Sequence, residues 1–272
     1  FYNETRPFPE KNQSQIVELK ETGKKWSFKS FGSFEGRSIG QWAFKKFGSH
    51  IAVASTTSIW DWDVNQTQNH FQVLKSQGEK LETISQTNDF AQGESIQSVR
   101  YIKDKAYVVT FRRIDPLFII DLKNINNPTI LDELKAPGFS SYMHPVDKNS
   151  LLGFGFAVDQ QGFVQGVQLS LFDTTDPSHL GISDLIKVGE SYSFSDALYD
   201  HTAFYINTDT KRVGFPIIHY PDNSSYYSEP PLLGADLYEI NEGHFEFFSH
   251  LTHKDWMLER CYINADDPSI YH

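Results

Sequence analysis

An all-β fold built from repeated four-stranded meanders is what this sequence predicts, on three observations. Short apolar runs rich in β-branched and aromatic residues recur along the chain, bounded by Asn, Asp, Pro and Gly. The runs come in groups of four, repeating every roughly 40–65 residues. Helical periodicity is weak everywhere.

The clearest unit is "VRYIKDKAYVVTFRRIDPLFIIDLKNINNPTILDEL", Val99 to Leu134. Ser98–Ile102 reads as a first strand, Lys103–Lys105 as a polar turn and Ala106–Phe111 as a second strand. Leu117–Leu122 is the third. Asn124–Pro128 is a turn, because Pro has no N–H to give a central strand. Thr129–Lys135 is an amphipathic fourth strand.

The pattern recurs on both sides of this unit. Ser141–Val146 and Leu151–Phe156 repeat the first hairpin, Val167–Asp173 the third strand and His179–Val188 the fourth. "DTTDP" at Asp173–Pro177 repeats the Asp-to-Pro turn of Asp121–Pro128. A later copy takes in Asp196–Tyr199, Ala203–Asn207 with Val213–Ile217, Ala235–Ile240 and His244–Leu251. An earlier one takes in Gln41–Phe47, Ile51–Thr56, Phe71–Leu74 and Lys80–Ser85. Four-stranded meanders at this period predict a β-propeller of four-stranded antiparallel blades, about five of them or part of a larger ring. A two-sheet sandwich would show Greek-key connections instead. The approximate blades are 38–90, 93–137, 138–189 and 190–252, with 13–37 and 253–272 as partial blades. Gln15–Leu19 and Trp26–Phe34 read as the last two strands of a blade, and Met257–Ile263 as a first strand.

Composition narrows the function classes. A chain of 272 residues with 39% hydrophobic content has enough apolar material for a substantial core. The net charge of −11 argues against nucleic acid and anionic lipid as partners, since both select basic surfaces. No apolar run approaches the ~20 residues of a membrane-spanning helix. Cys261 is the single cysteine, so no internal disulfide forms. "FYNETRPFPEKNQ" lacks the basic-then-apolar pattern of a signal peptide. Position 1 is not Met, so a mature form or a fragment is expected.

Several long motifs resemble one family. "SVRYIKDKAYVVTFRRIDPLFIIDL" (Ser98–Leu122), "APGFSSYMHPVDKNSLLGFG" (Ala136–Gly155), "QLSLFDTTDP" (Gln168–Pro177), "SDALYDHTAF" (Ser195–Phe204) and "GQWAFKKFGSHIAVASTT" (Gly40–Thr57) carry the likeness. They resemble predicted secreted bacterial and archaeal proteins whose C-terminal β-propeller is distantly related to WD40 repeats. The likeness runs from about Gln15 to Ile263. It implies an extracytoplasmic propeller and no particular reaction. Members of that family carry further blades before the matched region and continue past the strand resembling Met257–Ile263.

Candidate site residues follow from the expected blades. Arg100 and His144 fall in equivalent innermost strands, where a propeller lines its central channel; Arg260 falls in the same position. An Arg and His ring there suits an anion, and charge pairing between blades is the competing role. Asp200 and His201, in "ALYDHTAF", sit at a first hairpin turn. Neighbours on a strand point to opposite faces, so they are expected to tie blades together and not to form a dyad. Arg112, Arg113 and Asp115 in "TFRRIDP" suit a salt bridge between blades.

"DWDVNQTQN" (Asp61–Asn69) resembles the start of a calcium loop. It has Gln66 and Gln72 where Gly and Glu belong, and reads as a solvated connection. His250, His253 and Asp255 in "HLTHKD" could supply ligands to a metal, but their loose, strand-to-loop spacing favours a role without one. No metal or cofactor is expected. The Tyr- and Pro-rich insertion Ile217–Leu233 offers Tyr226 and Tyr227 for gripping a protein or glycan partner. With no nucleophile elbow, phosphate loop or zinc-peptidase helix in the sequence, the expectation is a non-enzymatic binding scaffold outside the cytoplasm. The alternative is a carbohydrate-binding, hydrolase or lyase propeller with its site at the channel mouth.

Overall fold

A computed structural model describes residues 12–61, 64–111, 115–220 and 231–252. Eighteen strands fall among them. The first four-stranded meander is β3 (Phe44–Phe47), β4 (His50–Asp61), β5 (Val64–Gln77) and β6 (Lys80–Gln86). The second is β7 (Ser95–Ile102), β8 (Lys105–Phe111), β9 (Asp115–Asp121) and β10 (Thr129–Ala136). The third is β11 (Phe139–Pro145), β12 (Ser150–Val158), β13 (Val164–Asp173) and β14 (Gly181–Val188). The fourth is β15 (Tyr205–Asn207), β16 (Arg212–His219), β17 (Leu232–Asn241) and β18 (His244–Leu251). Each meander keeps its four strands in chain order and antiparallel. The repeated meanders expected from the sequence are present as blades.

β1 (Gln13–Thr22) and β2 (Lys25–Glu35) behave differently. The sequence pairs them as the end of another blade. They form a hairpin that joins the first sheet at β6, through the parallel pairs Phe31–Lys80 and Gly32–Leu81. Phe34 anchors it against Ile51, Val53, Leu74 and Leu81. Met257–Ile263 and Arg260 lie outside the described residues.

The middle strands of the second and third sheets are apolar on both faces because each of these sheets is covered by two neighbours. Strand pleating sends successive side chains to opposite sides. Ala106 and Val108 of β8 therefore pack with Ala52, Ala54, Phe71 and Val73 of the first sheet. Tyr107 and Val109 pack with Met143, Leu151 and Phe172 of the third. Leu152 and Phe154 of β12 turn the other way, onto Val213, Phe215 and Tyr238 of the fourth.

The turns explain the repeated Asp-to-Pro motif. The Asp121 carboxylate accepts from Lys123 N–H at 3.0 Å, and Asp173 from Thr175 N–H at 2.8 Å. Asn124 and Asp176 make the next such turn, accepting from Asn126 N–H and Ser178 N–H. These side chains mimic a backbone turn at matching places in two blades.

Two local expectations are corrected. Asp196–Leu198, expected as strand, is a 3₁₀ turn capped by Ser195, whose hydroxyl oxygen accepts from Ala197 N–H. Ser and Asp offer the backbone this local alternative to a sheet ladder. The inner strand of the fourth sheet is instead the short β15. The calcium-like stretch is no open loop either: β4 and β5 stay paired from Thr56–Asn69 to Asp61–Val64, and Trp62 and Asp63 lie outside the described residues.

Candidate functional site

The inner strands β7 and β11 and the 3₁₀ turn Gln41–Ala43 pack at the centre of the blades. Their sequences place aromatic and polar side chains there in register. Both strands carry a β-bulge at the matching place, β7 between Ile96 and Ser98 and β11 between Ser140 and Tyr142. A bulge leaves one residue unpaired and re-aims its side chain. The bulged residues, Gln97 and Ser141, both line a cavity of about 160 Å³.

Aromatic rings form much of that wall, brought from three sheets and their connections. Trp42 precedes β3, Tyr142 lies on β11, and Tyr199 and His201 come from the turns before β15. Trp42 meets His201 edge to face at 5.6 Å, and Tyr142 stacks on His201 at 6.0 Å. The remaining wall includes Ile39, Ser98, Val99 and Leu198. Among the described residues, no carboxylate lines the cavity.

Arg100 and His144 are close to this cavity but do not line it; they back its walls. The Arg100 guanidinium lies 4.2 Å over the Trp42 ring, a cation–π contact. Its Nη2 donates across the blade boundary to His144 Nδ1 at 3.3 Å, and the Tyr142 hydroxyl donates to the same nitrogen at 2.8 Å. Accepting both bonds makes His144 neutral, with its proton on Nε2. Burial, then the Arg100 charge, holds its pKa below the ordinary 6.5. Burial also raises the Tyr142 phenol, partly offset by Arg100. Nη1 of Arg100 is buried with no hydrogen-bond partner among the described residues. Arg100 and His144 thus pair with each other across a blade boundary and pack against Trp42 and Tyr142.

Asp200 and His201 open a 3₁₀ turn and do not sit at a hairpin turn. Asp200 is exposed and caps the 3₁₀ turn His201–Ala203, accepting from Thr202 N–H at 2.9 Å and Thr202 Oγ1 at 2.6 Å. Those bonds hold its carboxyl below the usual range. It is a local cap and does not tie blades together. His201 alone faces the cavity. Further seams run beside it: Ser98 Oγ donates to Ser140 O, Tyr101 OH to Ala43 O and Ser141 Oγ to Leu198 O.

Tyr226 and Tyr227, with Arg112, Arg113, His253 and Asp255, lie outside the described residues. Sequence reasoning missed Trp42, Gln97, Tyr142 and Tyr199. Trp42 had a usable signal, a large aromatic just ahead of an inner strand. The bulges that aim Gln97 and Ser141 leave no sequence mark of their own.

Comparison with known proteins fits this architecture. A family model described as "Beta propeller domain" matches residues 2–269. An uncharacterized protein of Archaeoglobus fulgidus is 33% identical over 216 residues, covering 76% of this chain and 31% of its own length. An uncharacterized protein of Methanocaldococcus jannaschii is 29% identical over 233 residues, covering 86% and 33%. The chain spans about a third of the length of these curated relatives. A solved Lactobacillus plantarum protein aligns over 88% of this chain and 82% of its own, with a TM-score of 0.32 and 8% identity. That superposition is too loose to carry any functional argument.

Proposed function

This chain belongs to the Beta propeller domain family, and on that premise we propose that it is a non-enzymatic binding domain taking one saccharide ring in the central pocket. The observation that carries the reading is the pocket wall: Trp42 and Tyr142 each packed on His201, with no carboxylate beside them among the described residues. Aromatic faces hold the apolar face of a sugar ring while rim groups meet its hydroxyls. A volume of about 160 Å³ suits a single ring, being close to the ~150 Å³ cavity that accepts benzene.

Binding is favoured over hydrolysis on chemical grounds. Glycoside hydrolysis generally needs two carboxylates flanking the scissile bond. The nearest sequence-flagged acid, Asp200, is spent on Thr202. Arg100 behind Trp42 places a positive charge by the pocket, which favours a ring bearing an acidic group. Glucuronate should therefore raise the thermal midpoint more than glucose at equal concentration, and R100M should remove the difference. Equal shifts with both sugars in the natural chain would remove the acidic preference from the proposal.

We place the domain outside the cytoplasm as part of the same proposal, supported by the family resemblance of its motifs. Fractionation of the native host tests this, and recovery only with cytoplasmic markers would contradict it.

A further inference from the structure

The fourth sheet holds a second constellation, apart from the pocket. We propose that His219, Asp236 and His250 form a binding site for one divalent transition-metal ion of the zinc class. His219 ends β16, Asp236 is on β17 and His250 is on β18, so three adjacent strands each give one ligand. One donor atom from each residue lies within 4.8 Å of the other two. A bound tetrahedral ion would draw them to roughly 3.3 Å apart, for metal–ligand bonds near 2.0 Å. The adjustment is a small movement of side chains already in contact.

The chemistry of the set points to the metal class. Two imidazoles with one carboxylate suit Zn²⁺, Fe²⁺ or Co²⁺ and poorly suit Ca²⁺ or Mg²⁺, which prefer oxygen donors. Asp236 is 2% exposed, so its charge must be compensated in place. Its two oxygens meet His219 Nε2 at 2.9 Å and His250 Nδ1 at 2.5 Å. The hydrogen bonds leave one group unused: His250 Nε2 is buried with no partner among the described residues.

The backbone around the set is hollowed for the imidazoles. A Cβ on Gly234 would lie 2.5 Å from His250 Nε2 and collide with Leu251 O. A Cβ on Gly189, whose φ is +73°, would meet Ser193 and approach His219 Nδ1 at 3.0 Å. Three protein ligands leave a fourth position for water or another donor, as in open zinc sites. The sequence had flagged His250, but with His253 and Asp255. The partners found here lie 31 and 14 residues upstream, which no local spacing rule connects.

The test is a titration of the metal-stripped full chain with Zn²⁺, repeated with Co²⁺ to read its visible absorption. One equivalent should bind, and H219A and D236N should each weaken binding at least tenfold. Circular dichroism checks that the variants fold. If D236N fails to fold, H219A at the strand end and zinc-edge X-ray absorption of the natural protein decide: the proposal requires two imidazoles at zinc. No Zn²⁺ binding below about 100 µM, unchanged affinity in H219A, or a zinc spectrum without two imidazoles would each overturn it.

Discussion

Asp132 and Asp184 do the same work one blade apart. Asp132 accepts from the N–H of Leu180, just ahead of β14, at 2.7 Å, and Asp184 accepts from Phe245 N–H of the fourth sheet at 2.7 Å. Each follows a bulge in the outermost strand, in the sequences Ile130-Leu131-Asp132 and Ile182-Ser183-Asp184. The first sheet has the same bulge in β6, and there Ser85 Oγ donates to Ile125 O in the β9–β10 turn of the second blade. A side chain just after a bulge thus latches the outer strand of each of the first three sheets to the next blade.

Removing a latch should destabilise the protein without disturbing the pocket. D184A leaves Phe245 N–H unpaired, at a cost of about 1–3 kcal/mol. D132A should cost a similar amount. The double variant should sum to within ~0.5 kcal/mol, because the two sites are separate. Urea unfolding reads all three, and costs near zero would mean that the latches are ornamental.

Acid should loosen the β1–β2 hairpin through Glu18. Burial alone would raise this carboxyl, but hydrogen bonds from Lys46, Lys29 and Ser30 bring it from 4.5 to about 2. A depressed folded pKa gives stability that is full above 4.5 and lost as pH falls toward 2. Lys46 is half exposed, so the contribution is on the order of 2 kcal/mol after screening. E18Q should flatten the stability profile in that window, and an unchanged profile would contradict the assignment.

His144 acts at a higher pH. Its folded pKa lies below 6.5, through burial first and Arg100 second, so the unfolded chain takes up its proton earlier. Stability should therefore fall as pH drops through 6.5, until the folded pKa is passed. His144→Gln keeps an acceptor for Tyr142 without titrating. It should lose less stability than the natural chain between about pH 7.5 and about pH 5. Identical losses would place His144 outside the linkage.

The blades were legible in the sequence because their causes are local and periodic. The pleat shows as all-apolar runs such as Ala106–Val109, and the Asp121 and Asp173 turns show as Asp followed by Asn-Pro or Asp-Pro. Arg100 and His144 were found because they repeat at one place in the inner strands of consecutive blades. Their role was not, since it depends on Trp42 lying over Arg100 from a different blade. Tyr199 was hidden because Asp196–Tyr199 reads as a strand until Ser195 caps it. The His219–Asp236–His250 set escaped because strand pairing, and not sequence spacing, brings it together.

The central claim is that Trp42 and its neighbours hold a sugar ring. Calorimetric titration of the natural chain and of W42A with glucose, N-acetylglucosamine, galactose and glucuronate tests it most directly. Trp42 is 40% exposed, so W42A should fold. The account predicts one-to-one binding of at least one sugar at millimolar or tighter affinity, weakened at least tenfold in W42A by loss of the stacking face. No heat from any sugar at tens of millimolar, or equal affinity in W42A, would contradict it.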